Sequence, residues 1–288
     1  MHKIAFIGAG NMASAMIGGI VKKNLFAPEE IVASARTKEK LDRLQAEYGI
    51  EVTTDNKECA NAEMVFLCVK PVQLDGVIEE IREVLPSDSL VVSIAAGKKI
   101  SYYEQMLSGT GKPGAEQPDA GQPGTVKSAT TARKIIRCMP NTPALVGEGY
   151  TGVSANAAVT ADELDKVLEI FRSFGQASVT DEKNMDAVVG ISGSGPAYVY
   201  MFIDAMTKAG EALGLSHEYA LESATQTVIG AAKMVCETGE NPEILKQKVC
   251  SPGGTTIEAV KVLEERDLYG IVKEAVQACA AKSELMSR

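Results

Sequence analysis

The feature that most constrains the fold of this chain is a glycine turn near its start. The residues GAGNMA (8–13) close an apolar strand-like run, KIAFIG (3–8), and open a helix-like segment. In such a turn Gly8 permits the tight bend, Gly10 lets the backbone approach a pyrophosphate, and Ala13 keeps the helix close to the strand. The N-terminus of the helix adds partial positive charge. A GxGxxA pattern is weak alone, but its strand–turn–helix setting predicts dinucleotide binding.

The first half of the chain alternates short apolar runs with amphipathic segments. Predicted strands are 3–8, 31–34, 51–53, 64–69, 90–95 and 134–139, and predicted helices include 11–23, 37–48 and 73–84. Two more strand candidates, 150–155 and 177–180, flank a helical pattern at 161–173. This alternation predicts βαβ units in an α/β, Rossmann-type, doubly wound and mainly parallel sheet.

The second half is predicted to be entirely helical. From about residue 181 the strand patterns stop, and long helical segments follow at 184–213, 217–238, 256–265 and 268–286. Apolar residues lie nearly all round the first two, and a helix without a polar face must be buried on more than one side. We therefore predict two domains, 1–181 and 182–288, the second forming a homodimer. Packing of these helices under the first domain is the alternative.

Residues 108–132 fit neither half. They are rich in Gly, Pro, Ala and Thr and have no hydrophobic period. We interpret them as a flexible surface insertion that connects a helix to the strand at 134. A long loop can also be an active-site lid, but the absence of aromatic or catalytic-looking residues favours a passive role.

Composition excludes several classes of protein. The net charge of −9 argues against nucleic acid as a partner. No apolar run approaches the roughly 18 residues of a membrane span, so no membrane interaction is expected. The N-terminus lacks signal-peptide anatomy, which predicts a cytoplasmic location. Two distant histidines and six scattered cysteines have no metal-ligand spacing, so no metal site is expected.

The end of the second predicted strand bears on which dinucleotide binds. An NAD-selective site usually has Asp or Glu there, whereas this strand ends in Ser34 and is followed by Arg36 and Lys38. A hydroxyl group and two cations suit a 2′-phosphate, so NADPH is favoured and NADH remains possible. Solvated cations at the start of a helix are the alternative interpretation. The fourth strand ends at Cys68-Val69-Lys70-Pro71, where such sheets hold ligands.

A second candidate site is the polar stretch CSPGGTT at residues 250–256. A Gly-Gly-Thr-Thr run that enters a helix exposes backbone N–H groups without intrahelical partners. Together with the helix dipole these donors suit a carboxylate. The alternative is that Thr255 is only the N-cap of that helix.

Three further motifs follow in order: RCMPNTP (137–143), SGSGPAY (192–198) and SPGGTT (251–256). With GAGNMA and the CVKP corner (68–71), they resemble the pyrroline-5-carboxylate reductases, the last enzymes of proline synthesis. The resemblance covers essentially the whole chain except 108–132. It implies a Rossmann domain, an interlocking helical dimerisation domain, homodimers that often assemble into decamers, and reduction of the small molecule 1-pyrroline-5-carboxylate.

The resemblance also implies site residues. Cofactor contacts fall on Gly8, Ala9, Gly10, Asn11, Met12, Ala13, Ser34, Arg36, Asn56, Val69, Lys70, Pro71 and Ala96. Substrate contacts fall on Glu182, Ser251, Gly253, Gly254, Thr255 and Thr256, with Thr256 also the catalytic residue. Lys248 stands where some family members carry an asparagine that reaches the cofactor.

Other functions compete with this one. β-Hydroxyacid dehydrogenases place a lysine in a GxxGxGxxxK pattern as the base for an alcohol, and here Val199 occupies that position. An iminium ion accepts hydride without such a base, so the valine favours imine chemistry. The alternatives are a reductase for another cyclic imine and a dinucleotide-sensing regulator without turnover.

Overall fold

The computed structural model describes residues 1–108 and 132–287, so the predicted insertion lies outside the described residues except for its two end residues. The chain divides into two compact units. The first is Met1–Gly193 with Ala280–Arg288, and the second is Ser194–Cys279. The predicted domains, 1–181 and 182–288, stay a prediction.

The first unit is built on a sheet of eight strands among the described residues. They are β1 (His2–Ile7), β2 (Ile31–Ser34), β3 (Glu51–Thr53), β4 (Ala62–Leu67), β5 (Leu90–Ser93), β6 (Lys134–Met139), β7 (Gly149–Ala155) and β8 (Gly175–Val179). The order is β3-β2-β1-β4-β5-β6-β7-β8. All neighbours pair in parallel except β6 and β7. The predicted mainly parallel, doubly wound sheet is confirmed.

The antiparallel pair has a simple cause. Only residues 140–148 separate β6 from β7. A crossover to a parallel neighbour needs a dozen or more residues. The chain therefore turns back along β6, and parallel pairing resumes at β8 after a helical crossover.

The central strands are apolar because both of their faces are covered. Phe6, Phe66 and Ile136 pack in the core on one face of the sheet, and Ile7 and Leu67 pack in the core on the other. All five are completely buried. A parallel sheet covered on both faces produces continuous apolar runs instead of alternating ones, which is why these strands were visible in the sequence.

Seven α-helices of the first unit surround the described sheet. They are α1 (Asn11–Lys22), α2 (Lys38–Tyr48), α3 (Asn56–Cys59), α4 (Leu74–Ile81), α5 (Ile100–Ser108), α6 (Ala161–Arg172) and α7 (Met185–Val188). Helix α3 was not predicted, and α5 was predicted only as a helix of unstated bounds before the insertion. The first has a single turn, and the second ends where the low-complexity insertion begins.

The second unit contains α8 (Gly195–Ala212), α9 (His217–Thr238), α10 (Pro242–Val249), α11 (Thr255–Glu265) and most of α12 (Leu268–Met286). The single helix predicted over 184–213 is wrong: a π-helical turn, Val189–Gly193, separates α7 from α8. Pro196 lies in the first turn of α8 and cannot donate an intrahelical hydrogen bond to the preceding segment. Helix α10 was not predicted.

The second unit has little core of its own. Of its residues, all of which the structure describes, only Thr207, Ala220 and Ala224 are buried. Large apolar side chains such as Met201 and Leu213 are 72% and 87% exposed. Many exposed large apolar side chains on one unit are typical of a protein interface, which supports the prediction of a second subunit.

Candidate active site

The predicted dinucleotide turn lies at the switch point of the sheet, between β1 and β4. The N–H groups of Gly8 and Ala9 both donate to the carbonyl of Ser34 at the end of β2, at 3.0 and 3.1 Å. Gly8 has a φ of +103°, and a Cβ there would lie 2.9 Å from the main chain of Cys68. The turn is thereby held against the ends of two neighbouring strands, at the crevice where doubly wound sheets bind ligands.

The first turn of α1 fits a pyrophosphate. The helix begins at Asn11 after an N-cap at Gly10 that supplies no side-chain acceptor. Its first amides therefore lack intrahelical partners and carry the positive end of the helix dipole. A Cβ built on Gly10 would meet no atom within 4 Å, so open space lies directly before these donors. Both observations suit an anionic group of a dinucleotide.

A chain of side-chain hydrogen bonds lies at the ends of β2 and β3. The Ser34 hydroxyl donates to Oδ1 of Asn56 at 2.8 Å, and Nδ2 of Asn56 donates to Glu80 at 2.8 Å. Ser34 is completely buried, whereas Arg36 is exposed. The serine therefore orients Asn56, and Arg36 is free to meet a phosphate. Glu80 was not found from the sequence because it lies on α4, far along the chain.

These residues line one cavity of about 540 Å³. Eight of the predicted cofactor residues line it: Gly8, Ala9, Gly10, Ser34, Arg36, Asn56, Val69 and Lys70. The lining also contains residues that were not predicted: Ala35, Thr37, Lys40, Cys68, Gln73, Gly76, Val77 and Glu80. The side of the cavity that follows β2 thus carries two cations, Arg36 and Lys40, whereas Lys38, the second cation predicted from the sequence, is not in the lining.

The other predicted cofactor residues, Asn11, Met12, Ala13, Pro71 and Ala96, are not in the lining of this cavity. Ala13 is completely buried and Met12 packs against the core, so their available groups are main-chain amides. Pro71 starts a short 3₁₀-helix after the β4 corner. Ala96 follows β5 and is half-buried. The roles of all the predicted contacts stay predictions.

The thiols of Cys59 and Cys68, beside the cavity, are unreactive. Burial raises the pKa of the Cys59 thiol to about 12, and burial also raises the pKa of the Cys68 thiol above its ordinary range. Both thiols are therefore neutral near pH 7. A neutral thiol is a poor nucleophile, so neither residue adds covalent chemistry to the site.

The predicted substrate stretch forms the turn between α10 and α11. Gly253 has a φ of +70°, and the N–H of Gly254 donates to the carbonyl of Ser251 at 3.0 Å. The N-cap of α11 is Gly254, and no side chain caps the helix. The alternative that Thr255 is merely the N-cap is therefore wrong. The amides that begin α11 and the hydroxyls of Thr255 and Thr256 remain available to an anion.

A lysine holds the two helices of this turn together. Nζ of Lys246 on α10 lies 2.9 Å from Glu264 on α11 and 3.0 Å from Glu243. Lys248 is paired with Glu240 at 2.7 Å. The ammonium group of Lys248 is therefore engaged with a carboxylate of its own unit.

Two motif residues have structural partners that sequence reasoning missed. Nδ2 of Asn141 donates to the carbonyl of Ser192 at 2.9 Å, and its Oδ1 accepts from the N–H of Tyr150 at 2.9 Å. Arg137 is buried and pairs with Glu182 at 3.2 Å. Glu182 lies in the first unit and the turn at 251–256 in the second. No signal in a single sequence predicts contacts between residues as far apart in the chain as Arg137 and Glu182.

The part of the chain that the structure describes has neither a metal-ligand cluster nor a helix suited to a membrane. There, no three His, Cys, Asp or Glu side chains cluster as metal ligands do. Across the same residues, no helix has the length and apolar character needed to cross a membrane.

Comparisons with known proteins assign a family model to each of the two halves of the chain. Residues 182–286 match the family model described as pyrroline-5-carboxylate reductase dimerisation, and residues 3–97 match the model described as NADP oxidoreductase, coenzyme F420-dependent. A curated relative, the pyrroline-5-carboxylate reductase of Escherichia coli (strain K12), is 44% identical over 99% of this chain and 98% of its own.

Solved structures give the same result. The pyrroline-5-carboxylate reductase of Coxiella burnetii is 35% identical with a TM-score of 0.87, and the match covers 100% of this chain and 99% of that one. The pyrroline carboxylate reductase of Plasmodium falciparum, solved with NADP bound, is 32% identical with a TM-score of 0.82 and covers 100% and 98%.

Proposed function

The chain belongs to the pyrroline-5-carboxylate reductase family, and on that premise we propose that it reduces 1-pyrroline-5-carboxylate to L-proline with NADPH, the last step of proline biosynthesis. It is an oxidoreductase that acts on a C=N bond. The observation that carries this conclusion is the full-length similarity, which includes both the cofactor turn and the predicted substrate turn.

The cofactor end of the site suits NADPH. The first amides of α1 would hold the pyrophosphate, and Arg36 and Lys40 would hold the 2′-phosphate as charge-assisted donors. Strand β2 ends in Ser34, where NAD-selective sites usually have Asp or Glu, and the Ser34 hydroxyl is bonded to Asn56. NADH remains a possible second donor because most of these contacts are common to both cofactors.

The substrate end requires an anion site and an acceptor for the N–H of the protonated imine. In this proposal the amides of Thr255 and Thr256 bind the carboxylate of the substrate, and Ser251, Gly253 and Gly254 shape the turn around it. The Thr256 hydroxyl oxygen accepts a hydrogen bond from the N–H of the protonated ring nitrogen, which orients the C=N bond and favours its protonated form. When bound, NADPH supplies the hydride. Val199 is consistent with this chemistry because a protonated imine needs no base.

We also propose that the protein is a homodimer formed through its helical half. The exposed apolar residues of α8 and α9 and the match to a dimerisation family model support this. Assembly of dimers into a decamer and a cytoplasmic location are further expectations.

The test of the proposed function is an assay of the purified protein with NADPH. We expect the absorbance of the reduced nicotinamide to fall when pyrroline-5-carboxylate is added, with one proline formed for each NADPH consumed. Turnover of other cyclic imines without turnover of pyrroline-5-carboxylate would favour the related imine reductases. Tight NADPH binding without any turnover would favour a dinucleotide sensor.

A further inference from the structure

The loop between β5 and α5, residues 94–99, lies on the half of the sheet away from the glycine turn and β2. In a doubly wound sheet ordered 3-2-1-4-5-6, the dinucleotide lies across the crevice, with one nucleotide on each half. Arg36, the predicted reader of the 2′-phosphate, follows β2 on the adenosine half. The β5–α5 loop therefore belongs to the nicotinamide half. This placement rests on the proposed function.

The start of the loop is held by a buried pair of hydroxyl groups. The N–H of Ala95 donates to the Ser93 hydroxyl at 3.2 Å, and that hydroxyl lies 2.6 Å from the hydroxyl of Tyr103 on α5. Ser93 and Tyr103 are completely buried. The loop is thus tied to the helix that follows it.

The end of the loop is held by an ion pair between a buried arginine and a half-buried glutamate. Oε1 of Glu182 accepts the N–H of Ile100, the first residue of α5, at 2.7 Å. The same oxygen lies 3.2 Å from Nη1 of Arg137, whose side chain is only 4% exposed. A buried guanidinium needs a partner, because removal of one member of such a pair leaves an uncompensated charge. Arg137 on β6 thereby fixes Glu182, and Glu182 fixes the start of α5.

The middle of the loop is held by the end of α12. Gly97 has a φ of +72°, and a Cβ there would lie 3.2 Å from the Cβ of Met286. That end of α12 is itself held by a hydrogen bond of 2.6 Å from Ser283 to Asp186. All these residues belong to the first compact unit. The loop therefore has three separate attachments within that unit.

We propose that Arg137 and Glu182 are positioning residues, which hold the β5–α5 loop where the nicotinamide half of NADPH binds. They act through the main chain of residues 95–100 and not by contact with the reacting atoms. Without the pair the loop loses one attachment, and the nicotinamide half loses a fixed surface. The adenosine half, bound by the glycine turn and Arg36, is unaffected.

Binding at the two halves can be measured separately with two ligands. NADPH occupies both halves, whereas 2′-phospho-ADP-ribose lacks the nicotinamide. In Glu182→Ala we expect NADPH affinity to fall about tenfold, as for loss of a hydrogen bond to a charged group. The affinity for 2′-phospho-ADP-ribose should stay within about twofold of wild type, since contacts far from the change are independent of it. Turnover should fall by about 10- to 100-fold from misplacement alone.

The chain offers a matched control at the other end of β6. Glu163 pairs with Lys134 at 2.6 Å and accepts the N–H of Thr160 at 2.9 Å, at the start of α6. It thus makes the same two kinds of contact, away from the β5–α5 loop. Glu163→Ala should lower stability while leaving the affinity for both ligands and the turnover unchanged.

A conservative variant keeps the test decisive. Glu182→Gln retains an acceptor for the Ile100 amide, so it should recover most of the NADPH affinity lost in Glu182→Ala. If Glu182→Ala fails to fold, Glu182→Gln carries the test, with NADPH weakened by about threefold as the charge of the pair is lost and 2′-phospho-ADP-ribose unchanged.

Three results would overturn the proposal: wild-type NADPH binding in a folded Glu182→Ala, equal weakening of both ligands, or a raised KM for pyrroline-5-carboxylate with normal NADPH binding. The last would make Glu182 a direct substrate contact. Failure of the wild-type protein to bind NADPH would instead contradict the proposed function itself.

Discussion

Gly8 lies directly against the main chain of Cys68, so the turn after β1 touches the end of β4. A Cβ on Gly8 would lie 2.9 Å from the Cys68 carbonyl carbon, whereas a Cβ on Gly10 would meet no atom within 4 Å. Gly8 and Gly10 therefore have different roles in the same motif. The first is required for folding of the turn, and the second leaves room for a ligand.

Alanine substitutions separate these two roles. Gly8→Ala combines a left-handed φ with a main-chain clash. We expect the backbone strain to lower the free energy of unfolding by about 1–3 kcal/mol, and the clash to lower it further. Gly10→Ala should leave that free energy nearly unchanged but weaken NADPH about tenfold or more, because its methyl group occupies the space before the helix amides. Urea unfolding and NADPH titration of both variants measure this. Equal effects of the two variants on stability would contradict the division.

Arg36 is expected to select NADPH over NADH. In Arg36→Glu a like charge faces the 2′-phosphate, so NADPH affinity should fall about 10- to 100-fold while NADH affinity changes little. Arg43→Glu is the control, because it makes the same change of charge at an exposed residue of α2 outside the cavity. Titration of each variant with both cofactors gives the result. An equal loss for NADH and NADPH in Arg36→Glu would remove Arg36 as the reader of that phosphate.

The helical half should require a partner subunit. Met201 on α8 is 72% exposed, and in Met201→Asp we expect the dimer to dissociate, since a charge would be buried at an apolar interface. Val84→Asp, on the first unit, places the same charge on an exposed residue and should leave the dimer intact. Sedimentation distinguishes the two. A stable and active wild-type monomer would be incompatible with this expectation.

Stability should fall in alkaline solution because of Cys59. Its pKa is raised from 9.0 to about 12 by burial, so the folded protein keeps the thiol proton while the unfolded chain releases it. The stabilising effect is complete below about pH 9 and is lost as the pH rises toward 12. Between about pH 8 and 10 this residue should account for about 1 kcal/mol. Urea unfolding of wild type and Cys59→Ala at both pH values tests it. An identical loss in the variant would rule this cause out.

The sequence revealed the parts of the molecule whose signals are local. Gly8, Gly10 and Ala13 stand next to one another, and strands buried on both faces are visible as apolar runs. The turn at Ser251–Thr256 was found for the same reason, since its glycines and hydroxyls are consecutive. These features need no knowledge of the tertiary structure.

Features that depend on distant partners could not be found. Glu182 meets Arg137 and Ile100 only because β6 and β5 are neighbours in the sheet. Asn56 meets Glu80 because α3 packs beside α4. The break in the predicted helix over 184–213 has a local signal, Pro196, but the apolar pattern on either side masked it.

Thr256 is predicted to act at the C=N bond. Thr256→Val keeps the β-branched shape but removes the hydroxyl, so turnover should fall by about 10- to 1000-fold, as for loss of one well-placed hydrogen-bonding group at the reacting centre. NADPH affinity should hardly change, because the cofactor residues lie in the first unit. Steady-state kinetics with both substrates varied, together with NADPH titration, measure this. Unchanged turnover would contradict the role of the hydroxyl, and parallel losses of NADPH binding and turnover would indicate a disturbed fold.

The central claim is hydride transfer from NADPH to the imine carbon of pyrroline-5-carboxylate, and a label tests it most directly. The wild-type protein is incubated with pyrroline-5-carboxylate and NADPH that carries deuterium at the transferable position of C4, and the proline formed is analysed by mass spectrometry and NMR. We predict one deuterium per proline, on the δ carbon that was the imine carbon. Proline without deuterium, or no proline despite bound NADPH, would contradict the account.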